Sequence, residues 1–409
     1  MKRISILLLA ATSLAVPACS NDVASSGNGG DGSGDGDNNN GSSGGSNAGS
    51  GGGSASQDKW DQVLASRTTD YSAALKIAAL RLTGDLPKLT EIQQVASASG
   101  EAQRQAYEQL VTDYMSRPTF ATQMFLFWRD TFKVGGAGTN FDATLDTAPA
   151  FATALAINNG SYMDLFTKAT GNCATFNAGN GTVADAECTN GGPKAGVLTN
   201  PGVMKQFYSN FAFRRVRWVQ ETFDCLRFPA EVSTTGGTNV GGAAPYLGVW
   251  PFDSIASTKN GGRVDFQDTS SVICANCHSD MNHIAPLFAY YDTNGAYKTT
   301  VSVPTPLTGA PMAQLSDFLP AGQTTAWRYQ VPTADLPALG TAMAADPAIA
   351  KCGVARVWNF AFGKEDIVDQ LVDVPSTTIQ KQLDAFTQNG FKLKDMIFSV
   401  FTSDAFVKF

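Results

Sequence analysis

One pentapeptide constrains this chain more than any other feature: Cys274-Ala275-Asn276-Cys277-His278. The chain has 409 residues but only seven cysteines and two histidines, so chance alone would produce this spacing about 0.0006 times. At the spacing Cys-x-x-Cys-His, two thiols bond to the vinyl groups of a haem and the following imidazole binds its iron. The pentapeptide therefore predicts one covalent haem c, held by Cys274 and Cys277, with His278 as the proximal iron ligand.

Two other interpretations of the pentapeptide stay open. A zinc site could use the same three side chains together with His283, but these ligands are crowded together and lack the usual second pair, distant in sequence. A thioredoxin-type dithiol could follow a strand at residues 270–273, but no βαβ pattern precedes it. Haem attachment is the interpretation that agrees best with the sequence.

The ligand on the opposite face of the iron is less well determined. His283 and Met281 lie too close to His278 on one short helix to reach that face, so we expect His283 at the surface or helix end and Met281 packed beneath His278. Met312 lies far enough along the chain, in a loop beside Pro311, and is the candidate distal ligand. The alternatives are a Met312 that only fills the core and an iron that is open or water-bound.

The amino terminus indicates export. Two basic residues precede an apolar stretch at residues 4–16 that is too short to span a bilayer, and small residues precede Cys19. Residues 1–19 resemble a bacterial lipoprotein signal peptide, which implies cleavage before Cys19, a lipid on its thiol and a membrane anchor in the cell envelope. Serine rather than aspartate follows Cys19, which favours the outer membrane, on either face. Pro17 is unusual in such a signal, so ordinary cleavage nearby stays open.

Residues 20–57 are almost entirely Ser, Gly, Asn and Asp. Such a segment cannot bury enough apolar area to offset the entropy of ordering, so it predicts a disordered, flexible linker with a span of roughly 35 Å. The remaining chain predicts an amino-terminal helical domain at 58–200, a haem-binding cytochrome-c-like region at 201–330 and a carboxy-terminal helical region at 331–409.

Apolar periodicity predicts a mainly α protein with long loops, which is a cytochrome-c-like helical architecture behind a disordered tether. Gly135 to about Pro201 is rich in Gly, Asn and Thr and predicts only short helical pieces. The predicted helices lie within residues 71–132 and at 204–225, 279–290, 336–343, 349–362, 376–388 and 393–401.

Three arginines cluster in the helix predicted at 204–225: Arg214, Arg215 and Arg217. Guanidinium groups bind carboxylates in bidentate fashion, so this cluster could pair with haem propionates. The alternatives are a solvated helix face and an ion-pair network.

Four cysteines remain after the lipid-bearing and haem-bearing ones are set aside. An even number in an oxidising compartment favours two disulfides. Cys173 and Cys188 flank a Gly/Asn-rich excursion, which a disulfide would stabilise by about 3 kcal/mol in the chain-entropy model. We favour this pair and a second disulfide between Cys225 and Cys352. Four cysteines allow three pairings, and separate buried thiols at Cys225 and Cys352 stay open.

The charge of the chain bears on its partners. The net charge is −7 with an isoelectric point near 4.9, and no run of Lys or Arg stands out. This composition argues against nucleic acid as a partner.

The haem motif through Met281, followed by Asp292 and Gly295, resembles the cytochrome-c-like domains of unknown function in exported proteins of planctomycetes and myxobacteria. The resemblance implies haem and export but no substrate. The chain departs from that pattern at His283, where the family usually has Pro, and at Ala285, where it has Gly. Further short motifs resemble other parts of such proteins: residues 81–87, 114–120, 209–211, 214–221, 352–363 and 401–406.

These observations predict a membrane-anchored monohaem c-type cytochrome that exchanges electrons with a redox partner protein. No acid, base or nucleophile constellation is recognisable, so no catalytic residue is predicted. One alternative is a haem enzyme or sensor with an open distal site, either peroxidase-like or gas-binding. Another is a surface binding or structural lipoprotein in which the haem serves the fold.

Overall fold

A computed structural model describes residues 62–136, 140–226, 272–305, 312–319, 321–328, 330–364 and 374–409, with side chains in the third range from residue 280. The predicted signal peptide and linker, and with them Cys19, lie outside the described residues. Residues 63–409 group into one compact unit. The predicted mainly α class is confirmed. No helix in the described ranges is both long and apolar enough to cross a bilayer.

The amino-terminal half consists of helices and one hairpin, which lies between the sixth and seventh helices. The hairpin consists of β1 (Thr175–Asn177) and β2 (Thr182–Ala184), which pair in antiparallel fashion. The helices are α1 (Tyr71–Thr83), α2 (Leu89–Ala96), α3 (Gly100–Tyr114), α4 (Pro118–Phe132), α5 (Thr147–Ile157), α6 (Asp164–Thr167), α7 (Pro201–Gln206) and α8 (Phe213–Phe223), with 3-10 turns at Gly196–Thr199 and Asn210–Ala212.

The helix that contains the haem motif opens the second half. A 3-10 turn at Leu315–Asp317 and an antiparallel pair of short strands, β3 (Ala326–Trp327) and β4 (Val331–Pro332), follow it. The helices of this half are α9 (Val272–Phe288), α10 (Leu336–Ala344), α11 (Pro347–Ala361), α12 (Ser376–Gln388), α13 (Leu393–Phe401) and α14 (Asp404–Val407).

Local sequence explains where several of these helices begin and end. Asp70 precedes α1, and its carboxylate accepts hydrogen bonds from the backbone N–H groups of Ser72 and Ala73, each at 2.9 Å. Gly84 ends α1 in the left-handed conformation, with φ at 78°. Asp335 and Asp346 cap α10 and α11 in the same way as Asp70 caps α1. These three aspartates therefore fix the starts of α1, α10 and α11.

The three predicted regions share side-chain contacts. The hydroxyl of Tyr107 on α3 donates to the backbone oxygen of Phe401 on α13 at 2.6 Å. The indole N–H of Trp218 on α8 donates to the backbone oxygen of Phe132 at the end of α4 at 2.8 Å. Buried side chains from all three regions belong to one hydrophobic cluster. The division into three regions stays a prediction.

Two sequence-based expectations about helices were wrong. No single helix covers 204–225, because Phe211 and Ala212 adopt left-handed φ values of 53° and 58°, and the N–H of Phe211 donates to the oxygen of Pro304 at 3.1 Å. The Gly-rich stretch was expected to hold only short helical pieces, but α5 has eleven residues, of which the ten from Thr147 to Ala156 are buried. A helix buried on every side has no polar face, so its sequence shows no helical period.

Two disulfides join the pairs of cysteines that the sequence analysis favours. Cys173 and Cys188 have their Cα atoms 4.9 Å apart and close the β1–β2 hairpin segment. Cys225 and Cys352 have their Cα atoms 5.6 Å apart and join the end of α8 to α11. The second disulfide therefore ties the residues leading toward the haem motif to the carboxy-terminal helices.

We expect the two disulfides to differ in their effect on stability. Cys173→Ala with Cys188→Ala should lower the free energy of unfolding by about 3 kcal/mol, and Cys225→Ala with Cys352→Ala by about 5 kcal/mol, because the bridges span 15 and 127 residues. Urea unfolding of each double variant and the parent measures this difference. A loss below about 1 kcal/mol for either pair, or the reverse order, would contradict the prediction.

Candidate functional site

The haem motif lies inside helix α9. The sequence analysis places a helix at residues 279–290, whereas α9 begins at Val272 and so includes Cys274, Cys277 and His278. Residues three apart in an α-helix lie on one face, so the backbone offers both cysteines to the same side, with the histidine one position further on. The side chains of these three residues lie outside the described atoms.

The second half of α9 is packed into the core. Met281 is 7 % exposed, and Ile284, Ala285 and Phe288 are completely buried. The helix contacts α8, the Asn210–Ala212 turn and β3. Apolar contacts on several sides therefore hold the helix directly after the motif.

Arg215 on α8 holds the carboxy-terminal end of α9. Its side chain is completely buried, and one terminal nitrogen, Nη1, donates to the backbone oxygens of Phe288 and Tyr291 at 2.9 and 2.8 Å. The other, Nη2, donates to the backbone oxygen of Asp292 at 3.1 Å. Nε donates to the backbone oxygen of Met204 at 3.0 Å. One guanidinium thus joins the end of α7, α8 and the end of α9.

This arrangement suits a buried cation. Burial lowers the pKa of Arg215 to about 10, so the side chain stays charged at neutral pH. The last carbonyl groups of a helix have no partners within the helix and carry the negative end of its dipole. The cation and these carbonyls therefore satisfy each other.

The turn after α9 is held by its own side chains. Asp292 Oδ1 accepts hydrogen bonds from the N–H groups of Asn294 and Ala296 at 2.9 and 3.0 Å. Gly295 has a φ of 76°, and a Cβ there would overlap the backbone oxygen of Pro201 at the start of α7. Close packing against the start of α7 therefore requires the glycine of the Asp-x-x-Gly turn that follows the motif in the sequence.

A cluster of three carboxyl groups includes that of Asp280, which lies in the middle of α9. Asp280 accepts a hydrogen bond from the amide of Gln220, and Arg328 donates to both Asp224 and Asp346. The indole N–H of Trp327 also donates to Asp346, at 2.8 Å. We call Asp224, Asp280, Asp346 and Arg328 the carboxylate cluster.

Burial dominates the electrostatics of the carboxylate cluster. It raises the pKa of Asp224, whose side chain is 4 % exposed, to about 6, although the positive charge of Arg328 offsets part of this effect. Burial likewise raises the pKa of Asp280, again against Arg328. In Asp346, hydrogen bonds from Ala348, Arg328 and Trp327 outweigh burial and lower the pKa.

Other predicted site residues occupy varied positions. Met312 is 46 % exposed and forms a bridge with Pro304. His283 Nδ1 lies 2.8 Å from the backbone oxygen of Thr324. Within the described ranges, no group of three or more His, Cys, Asp or Glu is arranged to hold a metal ion. The zinc interpretation uses the side chains of Cys274, Cys277 and His278, which lie outside the described atoms, and is untouched by this finding.

The arginine cluster divides into different roles. Arg214 is exposed, Arg217 pairs with Glu221 through Nε and Oε1 at 2.6 Å, and Arg215 binds the backbone. The sequence analysis missed the role of Arg215, although a signal existed. Arg215 lies three residues before Trp218 and four before Val219, both of which are buried, so it lies on the buried face of the helix. The carboxylate cluster was also missed, since its members come from distant parts of the chain.

We expect Arg215→Met to lower the free energy of unfolding by at least about 3 kcal/mol, because it removes the buried hydrogen bonds that the guanidinium donates to four backbone oxygens. Urea unfolding measures the loss. Arg214→Met is the matched control on the same helix, with an expected effect within about 0.5 kcal/mol because that side chain is exposed. Equal effects of the two substitutions would contradict the role assigned to Arg215.

The raised pKa of Asp224 predicts a pH dependence of stability. The ordinary value is 3.8, so the folded chain binds this proton more tightly than the unfolded chain. The free energy of unfolding should therefore fall as pH rises from about 4 to about 6, with a contribution from this group of about 3 kcal/mol. Asp224→Asn should remove that contribution, as urea unfolding between pH 4 and pH 7 would show. An unchanged pH slope in the variant would refute the assignment.

Comparisons with known proteins find no match to this chain. No family model matches the chain, and neither the curated proteins nor the solved structures contain a significant match. The functional argument therefore rests on the haem motif, on helix α9 and on the side chains that hold it.

Proposed function

We propose that the chain is a membrane-anchored monohaem c-type cytochrome that transfers electrons to or from a partner protein in the cell envelope. The observation that carries the proposal is the Cys-x-x-Cys-His motif inside α9. In this proposal Cys274 and Cys277 hold the haem covalently, and His278 binds its iron. When bound, the haem would supply one-electron redox chemistry.

The backbone and surroundings of α9 agree with this group. A helical backbone through the motif is what two thioether bonds from residues three apart require. Asp280, two residues after His278, and the neighbouring Gln220 each retain a buried side-chain oxygen with no hydrogen-bond partner among the described residues. Such oxygens can accept a hydrogen bond from a buried donor beside the motif.

The rigidity of α9 supports electron transfer as the role. Arg215 holds one end of the helix, the core packs around Met281 and Ile284, and the Cys225–Cys352 disulfide braces the end of the adjacent α8. A ligand held by a fixed backbone changes position little when the charge on its metal changes. Electron transfer benefits from a ligand that is fixed in this way, because little of the protein must rearrange when the charge on the metal changes.

One observation favours the second candidate, a haem enzyme or sensor with an open distal site. A distal methionine ligand is enclosed with the haem, but the side chain of Met312 is 46 % exposed. If Met312 does not bind the iron, that coordination position is open to a small ligand. The candidates thus differ in one measurable property.

Carbon monoxide binding to the reduced protein separates the two candidates. If Met312 is the distal ligand, the parent should be low-spin and resist carbon monoxide, and Met312→Ala should become high-spin and bind it. Absorption spectra of both proteins, oxidised and reduced, with and without carbon monoxide, provide the measurement. A high-spin parent that binds carbon monoxide readily would contradict electron transfer through a methionine-ligated haem and favour the open site.

Haem staining of denaturing gels is the accompanying control. Protein matured with a cytochrome c assembly system should carry haem that survives denaturation, and Cys274→Ala with Cys277→Ala should lose it. A parent chain without covalent haem under these conditions would refute the proposal as a whole.

A further inference from the structure

Exposed apolar side chains concentrate at the start of the folded unit. Within the described residues, ten large apolar side chains are exposed, and six of them lie between residues 63 and 89. A seventh, Phe409, exchanges two backbone hydrogen bonds with Thr68, at 2.9 and 3.0 Å. We call these seven the amino-terminal apolar surface: Val63, Leu64, Ile77, Leu80, Leu86, Leu89 and Phe409.

Helix α1 contributes the middle of this surface. Its inner face is buried at Leu75, Ala78 and Leu82, which leaves Ile77 and Leu80 on the outer face, 37 % and 49 % exposed. A helix at the surface of a globular protein normally presents polar residues there. The outward isoleucine and leucine are therefore unusual for a helix that faces only water.

The segment after α1 continues the pattern. Leu86 and Leu89 are 72 % and 69 % exposed, which makes them the most exposed large apolar side chains among the described residues. They flank Pro87, which is buried and fixes the turn between them. Both side chains therefore project from a well-packed backbone.

The charge of this segment is opposite to that of the whole chain. Residues 62–89 contain four basic side chains and two acidic ones, whereas the chain carries a net charge of −7. Lys76 precedes Ile77, and Lys88 lies between Leu86 and Leu89. Basic side chains beside exposed leucines are typical of surfaces that rest on anionic lipid headgroups.

The position of the segment along the chain agrees with the same partner. The described fold begins at residue 62, which is 43 residues after Cys19, and the predicted flexible linker fills most of that interval. A lipid on Cys19 would hold the folded unit near the bilayer at an effective concentration of the order of millimolar. Even a weak affinity for lipid would then keep a surface on the membrane.

We propose that the amino-terminal apolar surface rests on an anionic phospholipid bilayer, the one in which the chain is anchored. The inference rests on the proposed anchoring at Cys19. Leu86 and Leu89 enter the interface between headgroups and acyl chains, and Lys76 and Lys88 contact phosphate groups. The folded unit is then oriented on the membrane instead of rotating freely on its linker.

Vesicle binding by the chain from Ser20 onward, which carries neither the predicted signal peptide nor the lipid, tests the surface by itself. We expect it to bind vesicles of phosphatidylglycerol with phosphatidylcholine, and to bind pure phosphatidylcholine more weakly. Leu86→Gln with Leu89→Gln should lower the partition coefficient about tenfold, and Lys76→Gln with Lys88→Gln should remove the preference for the anionic vesicles. Flotation at a series of lipid concentrations measures all of these values.

Leu315→Gln with Val331→Gln is the control, because these two apolar side chains are also exposed, each at 47 %, but do not belong to the amino-terminal apolar surface. It should leave binding unchanged. The proposal is overturned if the control lowers binding as much as Leu86→Gln with Leu89→Gln, or if the chain from Ser20 onward does not bind anionic vesicles. It is also overturned if the chain forms a dimer in solution that Leu86→Gln with Leu89→Gln dissociates.

The anchor itself has a separate measurement. Labelled fatty acid should appear on the parent chain and be absent from Cys19→Ser. If the label is missing from the parent but the folded unit still binds anionic vesicles through Leu86 and Leu89, the surface stands and the proposed anchor is wrong.

Discussion

The guanidinium of Arg215 is the interaction on which the arrangement of the haem-motif helix depends. It binds the backbone oxygens of Phe288, Tyr291 and Asp292 where α9 ends, and also that of Met204 at the end of α7. A single carbonyl group cannot compensate a buried cation for the hydration that it loses, because that loss of free energy is large. Several carbonyls together can, and they need donors in any case.

A second buried arginine holds the end of α8 in the same way. Arg356 on α11 donates through Nε and Nη2 to the backbone oxygens of Thr222 and Glu221 at 2.7 and 2.6 Å, where α8 ends. The Cys225–Cys352 disulfide joins the same two elements. Helix α11 therefore fixes the end of α8, and α8 in turn fixes the end of α9. The orientation of the haem motif is set by helices that are distant from it in sequence.

The carboxylate cluster imposes a different constraint on the same helix. Asp224 and Asp280 are buried beside one arginine, Arg328, which also binds Asp346. Burial disfavours the charged form of a carboxyl group, and one guanidinium compensates only part of this cost. The pKa of Asp224 and the pKa of Asp280 are therefore raised. The proposed cytochrome would thus have an acidic environment on one side of α9 and the buried cation of Arg215 at its end.

The sequence by itself determined the mainly α class and most helices with one apolar face, and it favoured the two disulfides among three possible pairings. It also singled out the Cys-x-x-Cys-His pentapeptide on which the proposed haem attachment rests, because that motif is defined by spacing along the chain. It did not reveal α5, whose residues are buried on all sides, or the break before α8, where Phe211 bonds to Pro304. Only the tertiary structure decided which carbonyls Arg215 binds and which carboxyl groups meet at Arg328. Those contacts join residues tens to more than a hundred positions apart, and no local pattern encodes which distant groups a buried charge will meet.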